Sequence, residues 1–356
     1  MKKTALIMAG GQGERFWPRS RKALPKQFLS LTEDDKTMIQ LTVERILPIV
    51  DMEDIYIATN ESYKALVKEQ LPLLPEENIL CEPVGRNTAP CIGLGATCVS
   101  AKYEDALMIV LPSDHVIKYT DIFRETLEAA CEVAEQGDNL VTMGITPNYP
   151  ETGYGYIKFY TDQVLGQANL VQEFVEKPDL QTAKAYLDSG DYLWNSGMFV
   201  WKVSTILNCM QEFLPDTYAG LMRIKDSLGT NAFTQVLKDE FVQFTSVSID
   251  YGILEKADHI YTLPGKFGWD DVGSWLAVKR LHETDEDDNL LLGNVIAIDS
   301  QACIVKGNKR LIAMAGIKDL IVVDEEDAIL ICHKDSAGQI KDIIKTLKDK
   351  EMNQYL

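Results

Sequence analysis

Several features are scarce or missing in this sequence, and each absence narrows the field. No apolar run among the 356 residues approaches the ~20 needed to span a bilayer. The one near the start, Ala5–Ala9, is too short for a signal-peptide core and is ended by Gly10, Gly11 and Gln12, so we expect a cytoplasmic protein. Cysteines number seven, at positions 81, 91, 98, 131, 209, 303 and 332. None forms a C-x-x-C pair, which argues against a zinc site or a disulfide framework and leaves most of them as small buried hydrophobes. Of the four histidines, His259, His282 and His333 share no metal-ligand spacing. Positive charge is outnumbered: 35 Lys and Arg face 54 Asp and Glu, a net charge of −19. That balance excludes general nucleic-acid binding, which needs a basic face. The P-loop string G-x-x-x-x-G-K-[ST] does not occur, and a G-x-G-x-x-G fingerprint fails because Phe16 stands where its third glycine belongs. Hydride transfer on a dinucleotide is therefore disfavoured.

What is present is uneven. Residues 1–26 carry Lys2, Lys3, Arg15, Arg19, Arg21, Lys22 and Lys26 against Glu14 alone, a net charge of +6, which leaves the rest of the chain at −25. The first half alternates strand-like segments (Thr4–Ala9, Asp54–Ala58, Asn78–Cys81, Ala106–Leu111, Asn139–Gly144) with helical ones (Met38–Leu47, Glu61–Leu71, Thr88–Ala101, Asp121–Glu135). Such alternation predicts an α/β fold, a mainly parallel sheet flanked by helices that binds ligands at the carboxyl ends of its strands. After residue 150 the pattern is mixed: Tyr154–Tyr160, Leu170–Val175 and Met198–Trp201 read as strands, Leu180–Leu187 and Ser204–Phe213 as helices. We take this stretch as continuing the first domain, residues 1–285. The acidic run Glu283–Asn289 reads as a linker or solvated loop. Short strands beyond it (Gly293–Ile298, Cys303–Val305, Leu311–Ala315, Leu320–Val323, Ala328–Cys332) predict a small β-helix-like domain over 290–356. A helix over Ser336–Lys348, N-capped by Ser336, should close it.

The chemistry is concentrated in a few strings. Glycines 10, 11 and 13 follow the first strand, where bare backbone N–H groups approach phosphates closely. Arg15 and Lys26 follow at fixed offsets, and a cation pair beside an N–H nest suits a triphosphate. Asp114 follows the strand Ala106–Leu111, so it should stand at a carboxyl end. Alone, such a residue reads as a turn or helix cap. His115 beside it reads as structural.

The string Ala9-Gly10-Gly11-Gln12-Gly13-Glu14-Arg15-Phe16-Trp17-Pro18-Arg19-Ser20-Arg21 with Pro25-Lys26-Gln27-Phe28 resembles the signature of the sugar-nucleotide pyrophosphorylases, in particular their mannose-1-phosphate guanylyltransferase branch. So do Glu82-Pro83-Val84-Gly85-Arg86-Asn87-Thr88-Ala89-Pro90, Leu111-Pro112-Ser113-Asp114-His115, Gly153-Tyr154-Gly155-Tyr156-Ile157, Val175-Glu176-Lys177-Pro178, Asn195-Ser196-Gly197-Met198-Phe199, Ser248-Ile249-Asp250-Tyr251 and Trp269-Asp270-Asp271-Val272-Gly273-Ser274-Trp275. They occur in the family's order across almost the whole chain.

The resemblance implies that GTP and mannose 1-phosphate become GDP-mannose and diphosphate by in-line attack on the α-phosphorus. It implies Mg²⁺ on Asp114 and Asp271, with Asp270 a competing choice, since Mg²⁺ takes one or two carboxylates plus phosphate oxygens. Gly10, Gly11, Gly13, Glu82, Arg86, Asn87 and Thr88 would bind the nucleotide. Gly155, Glu176, Lys177, Asn195 and Asp250 would bind the sugar phosphate. Arg15, Lys26, Asp114, Lys177 and Asp271 would form the catalytic set, with Arg19, Arg21 and Lys22 steering the anion or facing solvent. Trp17, Trp194, Trp201, Trp269 and Trp275 are expected to be packing residues. Another sugar 1-phosphate, such as glucose or a heptose, or another base remains open. A non-catalytic sugar-nucleotide-binding subunit is disfavoured, because every expected cation and carboxylate is present. A single activity and a homodimer through the β domain are further expectations.

Overall fold

The computed structural model describes residues 1–356. By packing, the chain forms two compact units: Met1–Gly10, Val43–Ser113 and Ile117–Trp269 in one, Gly11–Thr42, Asp114–Val116 and Asp270–Leu356 in the other. The glycine turn therefore packs with the C-terminal strands, a grouping that a sequence boundary near residue 285 does not express.

The larger unit is built on a nine-stranded sheet. Its order is Ile79–Glu82, Ile55–Asn60, Lys3–Met8, Leu107–Pro112, Tyr192–Lys202, Leu140–Ile145, Ile260–Gly265, Ala168–Val175 and Tyr156–Leu165. The first four run parallel. Tyr192–Lys202 lies antiparallel between Leu107–Pro112 and Leu140–Ile145, and Ile260–Gly265 is parallel to Leu140–Ile145. The strands expected in the first half are all present, shifted by one or two residues. The short Met198–Trp201 candidate is in fact the end of an eleven-residue central strand. Its polar middle, Asn195-Ser196-Gly197, hid it from a search for apolar runs. Ile260–Gly265 and the helices Pro215–Ser227 and Phe233–Phe241 were not foreseen. Parallel strands covered on both faces become continuous apolar runs, and Ala5, Leu6, Ile7, Met108, Ile109 and Val110 are all fully buried. No helix is long and apolar enough to cross a membrane.

In the smaller unit, Leu290–Leu292, Ile304–Lys306 and Leu320–Asp324 stack in parallel, closed by antiparallel Ile329–His333, while Val295–Ile298 pairs with Ile312–Ala315. Cys303, Val305, Met314 and Val322 fill the space inside these coils. Ile304, Ile321, Val323 and Leu330 join Phe16, Trp17, Leu29, Leu31 and Trp275 in a second core. Two expectations are corrected here. Ser336 lies inside a 3₁₀ segment, Lys334–Gln339, whose first turn is capped by the His333 side chain; the α-helix starts only at Ile340. Asn289, placed in a solvated loop, is 1% exposed. Its amide oxygen accepts from Cys303 N–H and its NH₂ donates to Ser300 O and Asp285, so it anchors the first coil.

One carboxylate ties together the amino ends of the parallel strands, away from the ends where ligands bind. Asp54 precedes its strand and is 2% exposed. It receives Lys2 at 2.7 Å, Lys102 at 3.0 Å and the Tyr103 hydroxyl. Burial opposes its ionisation, but these donors outweigh burial and lower its pKa. Asp54→Ala should destabilise the protein by about 1.5–3 kcal/mol, the range for hydrogen bonds to charged groups. The Asp54 contribution is present above the ordinary carboxylate range and is lost as pH falls through the lowered native pKa. Urea unfolding at pH 7 and pH 3 checks both statements: the gap between wild type and variant should shrink at pH 3.

Candidate active site

In the smaller unit the glycine turn and Lys26 are built against each other. Gly13 has φ +61°, and a Cβ there would lie 2.4 Å from Lys26 Cβ, so only glycine fits. Its carbonyl accepts from Ser20 Oγ at 2.7 Å. Arg15 follows in a 3₁₀ turn over Glu14–Phe16 and is exposed. Lys26 is 4% exposed. Its ammonium lies 2.9 Å from Asp114 Oδ2, donates to the Asp271 carbonyl at 2.6 Å and stands 5.6 Å from the Phe16 ring centre. Burial disfavours the Asp114 anion, but the Lys26 ammonium and, less strongly, His115 reverse that and lower its pKa. A Cβ on Gly273 would meet the Asp271 carboxylate at 2.9 Å and an Arg15 Nη at 3.3 Å. Arg15, Lys26, Asp114 and Asp271 are thus gathered in one place.

The neighbouring acid is occupied. Asp270 takes a two-pronged contact from Arg280, at 2.7 and 2.9 Å, and accepts Val272 N–H at 2.8 Å. It braces the turn in which Val272 adopts φ +46°. Arg280 carried no motif signal. The donor set of Asp114 and Asp271 is two hard carboxylates without thiol or imidazole. That suits Mg²⁺ completed by substrate phosphate oxygens, and no group of three or more metal-ligating side chains competes for it.

The basic cluster of residues 1–26 is largely neutralised. Lys2 pairs with Asp51 and Asp54, Lys3 with Glu128, Arg19 with Glu325 at 3.3 Å, Arg21 with Asp327 at 2.6 Å, and Lys26 with Asp114. Arg19 and Arg21 thereby hold the segment to the loop after Leu320–Asp324. Lys22 is exposed.

In the larger unit the expected sugar-phosphate residues converge. Asn195 Nδ2 donates to Asp250 Oδ1 at 2.7 Å, and Asn195 Oδ1 accepts Gly197 N–H at 3.1 Å, which fixes the amide's orientation. The Asn195 backbone N–H donates to Gly155 O at 2.8 Å. A Cβ on Gly155 would strike Glu176 Oε2 at 2.5 Å. Glu176 Oε1 accepts from Lys177 Nζ at 2.6 Å, and Lys177 is held at φ +45°. Burial, reinforced by the Glu176 charge, raises the pKa of Asp250, while the Asn195 bond opposes the rise. The result is a close set of acceptors and donors with one exposed cation, chemistry suited to sugar hydroxyls and a phosphate. Tyr149 and Tyr154 pack edge-on against Trp194, and Trp269 packs edge-on against Tyr154, with centroids 4.8–5.3 Å apart.

The nucleotide string divides. Glu82, at the carboxyl end of its strand, is 7% exposed, and its Oε1 has no hydrogen-bond partner. Burial pushes its carboxyl up to about 7, a contact from Cys91 opposing. Gly10 lies against it: a Cβ there would be 3.7 Å from Glu82 Oε2. Arg86, by contrast, donates to the Phe241 and Val242 carbonyls at a helix end. Asn87, at φ +68°, caps the helix Thr88–Lys102 through Thr88 N–H. Thr88 Oγ1 accepts Ile249 N–H at 2.8 Å, next to Asp250. The side chains of these three residues bond to backbone groups of the protein itself. Trp201 and Trp275 are about 1% exposed or less, as packing residues should be.

Comparison with known proteins identifies the family of the chain. Residues 4–288 match the family model Nucleotidyl transferase, and residues 293–347 match MannoseP isomerase/GMP-like beta-helix domain. The chain is 38% identical over 361 residues to Mannose-1-phosphate guanylyltransferase of Salmonella montevideo, covering 99% of this chain and 75% of that protein. It is 41% identical over 346 residues to Xanthan biosynthesis protein XanB of Xanthomonas campestris pv. campestris (strain B100), covering 96% and 73%. A crystal structure from Thermus thermophilus, described as mannose-1-phosphate geranyltransferase, superposes with TM-score 0.88 at 34% identity, covering 98% of this chain and all of that one. The chain belongs to the nucleotidyl transferase family and carries a C-terminal β-helix domain.

Proposed function

We propose that the protein is a mannose-1-phosphate guanylyltransferase that converts GTP and α-D-mannose 1-phosphate to GDP-mannose and diphosphate. The observation that carries this reading is the Glu176–Asn195–Asp250 set with Lys177 beside it: a hexose phosphate offers hydroxyls to the acceptors and an anion to the lysine. The relatives named for this activity support it over nearly the whole chain.

The buried Glu82 favours guanine. An ionised carboxylate accepts two hydrogen bonds, and guanine presents two adjacent donors, N1–H and the N2 amino group, where uracil presents one. Arg15, Lys26 and the N–H groups of Gly10–Gly13 hold the triphosphate. Lys177 turns from Glu176 to the phosphate of the incoming sugar phosphate. No covalent intermediate is needed, because that phosphate is already a nucleophilic anion, and catalysis is positioning and charge stabilisation. Mg²⁺ bound at Asp114 and Asp271 would supply positive charge to the reacting phosphates. Lys26, pinned between these two residues, sets their separation.

Diphosphate release over a grid of nucleoside triphosphates and sugar 1-phosphates should be fastest for GTP with mannose 1-phosphate. A faster pair elsewhere would replace the specificity and keep the chemistry. On the best pair, Arg15→Ala should lower kcat by roughly 10²-fold or more, and near-normal turnover would remove Arg15 from the catalytic set.

The two adjacent aspartates separate by experiment. Asp271→Asn should raise the Mg²⁺ concentration needed for half-maximal rate at least about tenfold, having lost a charged ligand. Asp270→Asn should leave that concentration alone and lower thermal stability, because Arg280 loses its partner. The opposite pattern would exchange their roles.

Glu82 yields a prediction about the base. Inosine triphosphate lacks the N2 amino group, so wild type should prefer GTP to ITP by about 10-fold or more in kcat/KM, the worth of one charge-assisted hydrogen bond. Glu82→Gln should narrow that ratio. It should also flatten the loss of stability as pH rises from about 4.5 to 7, the window in which the native carboxyl holds a proton that the unfolded one has released.

A further inference from the structure

A cavity of about 340 Å³ lies in the smaller unit, lined in part by Arg19, Thr32, Trp275, His282, Leu292 and Lys306. None of these residues has a role in the chemistry above. Two polar atoms among them are buried without a hydrogen-bond partner, Arg19 Nε and Thr32 Oγ1. Arg19's other contacts are long, 3.3 Å to Glu325 and 3.4 Å to the Ser30 carbonyl. The Lys306 side chain emerges from the strand Ile304–Lys306 into the same space. Burial first, and then repulsion from Arg19, lowers its pKa, and Glu325 offsets this only in part. Two cations thus face one nearby carboxylate in a half-enclosed space. The acids of the lining itself, Glu33 and Glu283, are exposed. His282 has Nε2 3.0 Å from the Leu31 carbonyl and Nδ1 3.9 Å from Glu33 Oε1.

An unpartnered guanidinium N–H, an unpartnered hydroxyl and an under-compensated ammonium are together the donor set that an oxyanion satisfies. Leu31, Trp275, Val278 and Leu292 supply an apolar wall in the same cavity, which suits a small carbon skeleton attached to the anion. We propose that this cavity is a second anion site, taking the phosphate group of a small phosphate monoester or phosphate itself. Trp275 packs on Phe16 at 5.5 Å, and the Phe16 ring faces the Lys26 ammonium, so one aromatic layer separates the cavity from the catalytic lysine.

Titration calorimetry of the full chain with inorganic phosphate tests this. An Arg15→Ala, Lys177→Ala background weakens phosphate binding at both the triphosphate and the sugar-phosphate positions. In that background about one phosphate per chain should still bind. Adding Lys306→Gln should weaken it roughly tenfold or more, the loss of a charge-assisted contact. Thr32→Val, which keeps the side-chain shape, should weaken it about threefold and covers the case in which Lys306→Gln folds poorly. Glycerol 3-phosphate then separates the two sources: tighter binding than phosphate assigns the site to a monoester, and equal binding assigns it to the free ion. The proposal is overturned if that background binds no phosphate, or if Thr32→Val and a folded Lys306→Gln both bind phosphate like their parent.

Discussion

The Lys26 ammonium is the charge on which the smaller unit is organised. A lysine 4% exposed is tolerated only when its charge is paired and its protons are accepted. Here the partners come from far along the chain: a carboxylate at Asp114 and a backbone carbonyl at Asp271. One side chain therefore draws together three segments that lie far apart in the sequence. The glycine turn is the fourth constraint, since Gly13 lies against Lys26 Cβ and leaves no room for a side chain. The same interaction holds the Asp114 carboxylate and the Asp271 backbone beside each other. A purely structural lysine would not need an exposed arginine and a second carboxylate on its open side.

Most of the sheet was legible because its strands obey one rule. Buried parallel strands are short apolar runs, and Lys3–Met8, Ile55–Asn60 and Leu107–Pro112 are such runs. The central strand Tyr192–Lys202 breaks the rule. Asn195 and Ser196 interrupt its apolar pattern, and their side chains bond to Asp250 and to the Met143 carbonyl. Asn289 misled for a related reason. A polar residue in an acidic run reads as solvated, yet its amide satisfies backbone groups inside a β-helix coil, and no periodicity announces that.

The candidate site was legible residue by residue but not as geometry. The ordered strings named Glu176, Asn195 and Asp250, and only the folded chain shows Asn195 bonded to Asp250 and Glu176 lying with Asn195 beside Gly155. The choice between Asp270 and Asp271 rested on a neighbouring string; the structure adds a physical reason, because Arg280 already holds Asp270. Arg86 runs the other way. A guanidinium in a nucleotide string suggests a phosphate contact, yet its N–H groups meet helix-end carbonyls, a contact favourable for any cation near a helix C-terminus.

The charge asymmetry of the sequence takes a different meaning from these contacts. A basic segment on an acidic protein invites an anion-binding reading, but five of its seven cations are matched to carboxylates elsewhere in the chain. The pairs of Arg19 and Arg21 with Glu325 and Asp327 hold the segment beside the C-terminal strands, where Phe16, Trp17 and Leu31 share a core with Ile304, Ile321 and Leu330. Exposed pairs of this kind add little stability individually, so their weight is in register: apolar packing draws the segment in, and the charges select its alignment. The β-helix is then not an appendage to the catalytic chemistry. It is the surface on which the glycine turn is folded, and of the seven cations Arg15 and Lys22 stand outside these pairs.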